Sequence, residues 1–308
     1  MRNTLVLLLS LTLITACNNE GLDQYSEQSE TITFTSPIEL LETPSEFFQI
    51  NTTKDTIVVG EKGTKITFTK GCFSTDSEQV KVELKECYDF PTMVMERLST
   101  KSNDDILETD GMVYINATTL QGDSISLKDD SLIALEMPSC NSNMQLFYGE
   151  KSDNIIDWQK ANETIIFSDS LPAKLRELYN SFEITQLGWI NADKFIDCEN
   201  KTDLFVSLPE NQEGAVYSLA FYNYNSILPG VPNDKGQLVF KGIPANEKVT
   251  LMGIGSKDDA LYYSSLNLST DTKNAKLPTL KEIGKDELQA ALENDFGNDL
   301  AQRPQPRF

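Results

Sequence analysis

Between Ile50 and Thr118 apolar side chains recur on alternate positions, and this pattern dictates most of what the chain can fold into. Ile66 and Phe68, then Val80, Val82 and Leu84, then Val113, Ile115 and Ala117 each alternate with a residue suited to the opposite face. Successive residues of a strand face opposite sides, so a period of two in β-branched and aromatic residues marks half-buried strands. Gly60, Gly63, Gly71 and the polar run before Gln79 supply the breaks between them. The stretch reads as the core of a β-sandwich.

Further short strands extend this pattern on both sides. Thr31–Thr35, Thr56–Val59, Ser124–Leu127, Leu132–Glu136 and Met144–Gly149 are expected strands of a first domain over residues 32–160. Pro91–Leu98 interrupts them as a crossing between sheets with a helical turn. A linker over 161–185 contains Leu171-Pro-Ala-Lys-Leu-Arg-Glu-Leu-Tyr179, where Leu175, Leu178 and Tyr179 share a helical face behind Pro172. Strands return over 186–280 at Leu204–Leu208, Val216–Tyr222, Gln237–Phe240, Lys248–Ile254 and Ala260–Leu268, with a loop at Pro229-Gly230 and Pro232-Asn233. Residues 281–298 form a terminal helix, with Gly297 at its stop, and the Pro-rich tail 299–308 is expected to be disordered. The expected fold class is therefore mainly β: two tandem sandwiches, a short linking helix and a C-terminal helix.

The N-terminus has the order of residues expected of an export signal. Met1-Arg-Asn3 is basic, Leu5–Ile14 is an apolar run too short to span a bilayer, and Ile14-Thr-Ala-Cys17 follows it. This resembles the lipobox of bacterial lipoproteins, which implies that residues 1–16 are a signal peptide and that the Cys17 thiol carries diacylglycerol. The alternative is an ordinary signal peptide with a chance cysteine. Residues 17–31 hold Glu20, Asp23, Glu27 and Glu30 with no basic residue, the composition of a flexible acidic tether. The resemblance implies a location in the cell envelope, at the outer membrane.

Four more cysteines remain. Cys72 and Cys87 end consecutive strands and are candidates for one disulfide, leaving Cys140 and Cys198 for a second; four buried thiols are the alternative. No cofactor is implied, and no metal: there is no histidine and no CxxC spacing. With 47 acidic against 26 basic residues the net charge is −21, which argues against a nucleic-acid partner.

Two resemblances concern fold. Gly63-Thr-Lys-Ile-Thr-Phe, Gly71-Cys-Phe73, Val80-Lys-Val-Glu-Leu and Leu107-Glu-Thr-Asp-Gly-Met-Val-Tyr-Ile resemble the ZU-five-like β-sandwich, and uncharacterised Bacteroidota lipoproteins more closely. Gly236–Ile254, running through Gly242-Ile-Pro244, resembles the transthyretin-like or carboxypeptidase-regulatory-like sandwich. Both imply a scaffold and no chemistry. Some ZU-five-like domains cleave themselves beside a His-Phe-Ser motif; Cys72 replaces that histidine here.

The expected function is that of a lipid-anchored, non-catalytic envelope protein serving binding or assembly. Without histidine the usual base for a serine or cysteine nucleophile is missing. Carboxylate pairs such as Glu108/Asp110 and Asp104/Asp105 read as solvated turns, as do Asp129-Asp130 and Asp258-Asp259, where a Ca²⁺ site is the alternative. The rival function is glycan binding or carboxylate-dependent glycan processing. It would use Tyr222, Tyr224 and Tyr262 as exposed aromatics, or Trp189 as a platform; Trp189 reads first as packing at the domain junction. Asp55-Thr-Ile, Asp123-Ser-Ile, Asp130-Ser-Leu and Asp169-Ser-Leu resemble the O-glycosylation phrase of Bacteroidota.

Overall fold

The structure, a computed structural model, describes residues 31–35, 41, 43–131, 133–138, 143–152, 155–162 and 179–300, with the side chains of 296–300 left aside. The expected signal peptide, Cys17, the expected tether as far as Glu30, the expected linking helix, Cys140 and residues 301–308 of the expected tail lie outside these residues, whereas 299–300 belong to the terminal helix. Thr31 onward forms one compact unit that is mainly β.

The first strands are β1 (Ile32–Thr33), β2 (Glu46–Asn51), β3 (Thr56–Val59), β4 (Lys65–Phe68), β5 (Gln79–Cys87), β6 (Lys101–Ser102) and β7 (Asp105–Thr119). They continue with β8 (Ile133–Pro138), β9 (Gln145–Ser152), β10 (Ile155–Lys160), β11 (Tyr179–Ile184) and β12 (Gly188–Phe195). Helix α1 (Phe90–Met95) lies between β5 and β6, capped where the Asp89 carboxylate accepts from the Thr92 amide at 2.8 Å. A sheet ordered β10-β9-β12-β7-β5-β2, with β6 on β7, stacks on a second ordered β11-β8-β4-β3. The alternating residues seen in the sequence, Ile66, Val82, Val113 and Ile115 among them, fill the space between.

A second sandwich follows from β13 (Lys201–Ser207), β14 (Gln212–Glu213), β15 (Val216–Phe221), β16 (Ser226–Gly230) and β17 (Gln237–Pro244). It is completed by β18 (Lys248–Lys257), β19 (Ala260–Ser269), β20 (Ala275–Lys276) and β21 (Lys281–Ile283), ahead of helix α2 (Lys285–Leu300). The sheet β16-β15-β18-β19-β21 faces β17-β13-β20 across Leu204, Leu219, Leu238 and Leu251. Glu287 reaches back to the Gly284 amide at 3.1 Å, a half capping box that starts α2, and Leu288 and Leu292 bury its inner face. The helix passes through Gly297 rather than stopping there.

Three expectations are corrected. Residues 186–195 belong to the first sandwich: β12 sits mid-sheet between β9 and β7, and β11 pairs with β8, so the boundary falls after Phe195. The N-terminal strand belongs to the second sandwich. There β1 pairs in parallel with β14 and Phe34 fills the core, lying where a Cβ on Gly214 or Gly255 would come within 2.2 or 2.6 Å of it. The loop expected at Pro229-Gly230 is the end of edge strand β16, whose outer side needs no donor from proline.

The disulfides are corrected too. Cys72, Cys87 and Cys198 are free thiols. Cys72 points into the first sandwich's core beside Phe73, whereas Cys87 lies on the opposite face of its sheet among Phe90 and Met112. A sheet separates the two sulfurs, and burial pushes both thiols up, Cys87 beyond the range of ordinary titration. Cys198 is half-buried, with its expected partner Cys140 outside the described residues.

What joins the sandwiches is a shared apolar core. The outer face of the first sheet contributes Leu107, Phe147 and Trp158; the outer face of the second contributes Ile227, Met252 and Leu261; α1 and α2 close the ends. Hydrogen bonds cross the same junction: the Thr100 amide donates to the Ile227 carbonyl at 2.8 Å, and Asn225 Nδ2 donates to the Thr109 carbonyl at 3.0 Å.

Candidate functional site

The residue phrases quoted from the first sandwich turn out to be devices of folding. Gly60–Thr64 wraps a buried carboxylate: Glu86 accepts from the Thr64 amide at 2.9 Å and the Lys62 amide at 2.6 Å, and a Cβ on Gly60 would strike it at 2.6 Å. In the Gly71-Cys-Phe73 phrase, Gly71 takes φ of 74°, and Phe73 stacks on Phe68 with ring centroids 5.2 Å apart. Asp110-Gly111 forms a bulge against β12, where the register shifts between Ala192 and Asp193.

Beside that bulge lies a strongly perturbed carboxyl. Asp193 is wholly buried, accepting from Asn191 Nδ2 at 2.5 Å, while Asn191 Oδ1 accepts from Thr109 Oγ1 at 2.8 Å. Burial raises its pKa well above the usual carboxylate range; a hydrogen bond from Thr109 works against this, and the nearby Asp110 and Glu108 add to it. Sealed from solvent, it cannot serve a substrate, and its consequence is for stability. Because the folded pKa exceeds the unfolded one, stability is full below the unfolded pKa. It is lost as pH rises between the two, at about 1.4 kcal/mol per pH unit. Asp193→Asn, neutral throughout, is expected to raise the melting temperature at pH 7 and flatten its dependence between pH 4 and 8. A variant destabilised equally across that range would show that the carboxyl is held ionised.

Other sequence candidates are committed elsewhere. Glu108 pairs with Lys194 at 3.1 Å, and Asp110 accepts from Asn180 Nδ2 at 3.0 Å. Asp130, Asp258 and Asp259 take positive φ in turns, and among the described residues no His/Cys/Asp/Glu group has the arrangement of a metal site. Tyr222 donates to the Asp295 carbonyl at 2.9 Å, Tyr224 to Glu247 at 3.1 Å, and Tyr262 packs on Phe34 with centroids 5.0 Å apart. None of the three tyrosines stands free as a platform. Ser124 is exposed and Thr56 and Ser131 half-exposed in their Asp-Ser/Thr phrases, while the phrase at Asp169 lies outside the described residues.

Trp189 differs from these tyrosines. Ile190 and Ala192 of β12 point into the sandwich, so Trp189 projects from the other face, opposite Tyr114 in register, with ring centroids 5.3 Å apart. It is half-buried at the outer margin of the junction core. Gly149 on β9 lets it settle: a Cβ there would lie 2.8 Å from Trp189 Cβ and 2.7 Å from Ile156 Cγ2. Where β12 begins, a cleft of about 340 Å³ is lined by Glu150, Gln159, Lys160, Asn162 and Gln186 as well as Trp189; Gln159 stands opposite the inward-facing Tyr148 in register, on the sheet face away from the indole. Tyr148 Oη accepts from the Thr185 amide at 3.1 Å, tying down the turn that carries Gln186. The sequence placed Trp189 at a junction and gave no sign of the cleft, because Glu150, the stretch 159–162 and Gln186 come from separate segments.

A second cavity of about 210 Å³ lies between the sandwiches, lined by Val94, Leu98, Pro229, Met252 and Ile254, with Arg97 at its wall. A wide bay of about 750 Å³ lies beside Asp258, Asp259, Glu282 and Glu287. No described helix is long and apolar enough to cross a membrane. Compared with known families, curated protein sequences and solved structures, the chain matches none.

Proposed function

We propose that this chain is a lipid-anchored, non-catalytic protein of the bacterial cell envelope, whose fused sandwiches present a binding surface away from the membrane. The observation that carries the proposal is Ile14-Thr-Ala-Cys17 directly after the apolar run Leu5–Ile14. Support comes from the acidic tether that separates Cys17 from the folded body beginning at Thr31. A diacylated and N-acylated cysteine anchors stably because each buried methylene contributes about 0.8 kcal/mol. The absence of any histidine supports the non-catalytic reading. The ZU-five-like and carboxypeptidase-regulatory-like kinships belong to the same proposal, as scaffolds that lend rigidity.

Lipidation is tested by intact mass and fractionation after expression in a diderm bacterium. The expected species begins at Cys17, carries three acyl chains and sediments with membranes; Cys17→Ala is expected to abolish the added mass and release the protein. An unmodified polypeptide in the soluble fraction would overturn the proposal.

A further inference from the structure

We propose that the cavity between the sandwiches is a binding site for a small apolar monocarboxylate, an aromatic ring or short acyl chain that carries one carboxylate. One wall is the outer face of the second sheet. Leu219, Leu228 and Leu251 point into the second sandwich, so Ser218, Pro229 and Met252 beside them point the other way, and Ser218 stands opposite both Pro229 and Met252 in register. The facing wall is the end of α1, where Val94 and Leu98 are buried. Val231 also lines the cavity while 65% exposed, so solvent reaches it from that side. A dry apolar cavity of about 150 Å³ can hold a benzene ring. The volume here, about 210 Å³, therefore has room for one ring with a short side chain, or for an acyl chain of similar bulk.

Arg97 sets the chemical class, as the one charged residue among those that line the cavity. Burial strips water from its guanidinium and draws the pKa down from its ordinary value. A cation desolvated in an apolar wall favours an anionic partner over a neutral one, and pairs best with a flat carboxylate. The guanidinium carries five donors in one plane, so it can meet a ligand carboxylate alongside the contacts it already makes. Its backbone is unusual for a side chain of this size. The Leu98 amide donates to the Met93 carbonyl at 2.9 Å and the Arg97 amide to the Val94 carbonyl at 3.0 Å, closing α1 with Arg97 at φ of 54°. Glycine fills that left-handed position most easily, yet the chain places there a residue that lies against the cavity. The net charge of −21 opposes a free anion only near the surface, since salt screens it within about 8 Å at physiological ionic strength.

This site does not depend on lipidation at Cys17, and the two are tested separately. The full chain is titrated by calorimetry at pH 7 with hydrocinnamate and with octanoate, each beside its neutral alcohol. At least one acid is expected to bind, at least tenfold more tightly than its alcohol, and the better of the two distinguishes a ring from a chain. Arg97→Gly is expected to fold, because glycine adopts the left-handed conformation freely, and to bring the acid down to the affinity of the alcohol. Ser218→Leu fills the cavity from the sheet wall and is expected to weaken acid and alcohol alike, at least tenfold. If the filled variant does not fold, Arg97→Gly decides the matter. Absence of binding by both acids, equal affinity for acid and alcohol, or undiminished acid binding by either variant would overturn the proposal.

Discussion

Trp158→Ala is expected to destabilise the entire folded body by about 3–5 kcal/mol and to lower the melting of both sandwiches together. The indole is fully buried, donates to the Ser99 carbonyl at 2.5 Å, and lies in the core that joins Leu107 and Phe147 to Met252 and Leu261. Its removal leaves a large cavity and an unsatisfied carbonyl that neither sheet can close over, since each is packed on its other face against its own inner core. Because that core is common to both halves, wild type and variant should each unfold in one transition, followed by circular dichroism in urea. Two separate transitions, one of them unmoved by the substitution, would show that the sandwiches are independent domains.

Gly111→Ala is the second large effect, expected at about 4 kcal/mol, from roughly 1–3 kcal/mol of overpacking and a similar backbone strain. Gly111 has φ of 139°, a conformation side chains rarely adopt, and a Cβ there would sit 2.1 Å from Tyr88 Cδ1. Tyr88 cannot swing aside cheaply, because its hydroxyl is bonded to Thr64 Oγ1 at 2.6 Å beneath the turn around Glu86. Thermal melting is the measurement. A loss below about 1 kcal/mol would mean that the bulge and ring relax together, and the Asp-Gly phrase would then lose its structural explanation.

Much of the fold was legible because it is encoded at short range. Alternation at Ile66–Phe68, Val80–Leu84 and Val113–Ala117 required strands with one face buried, and those residues do fill the first core. The terminal helix was legible from Leu288 and Leu292 on one face. Where both faces of a strand are buried, the pattern fails. In β12, Ile190 and Ala192 serve one core while Trp189 packs against the other, so no alternation announced a central strand of the first sheet, and these residues read as the opening of the second domain. The candidate site was half legible. Trp189 stood out, but the polar cleft where β12 begins is assembled from three separate segments.

By itself the sequence determined the strand-rich class, the acidic surface and the lipobox-like phrase at Cys17, since alternation, charge and a short apolar run are local properties. Tertiary structure alone decided that the first described strand joins the second sandwich, that Cys72 and Cys87 face opposite sides of a sheet, and that Glu150, Gln159, Asn162 and Gln186 line one polar cleft. Those outcomes depend on which faces of distant strands meet, and that pairing is set by the summed burial of many residues rather than by any neighbour in the chain.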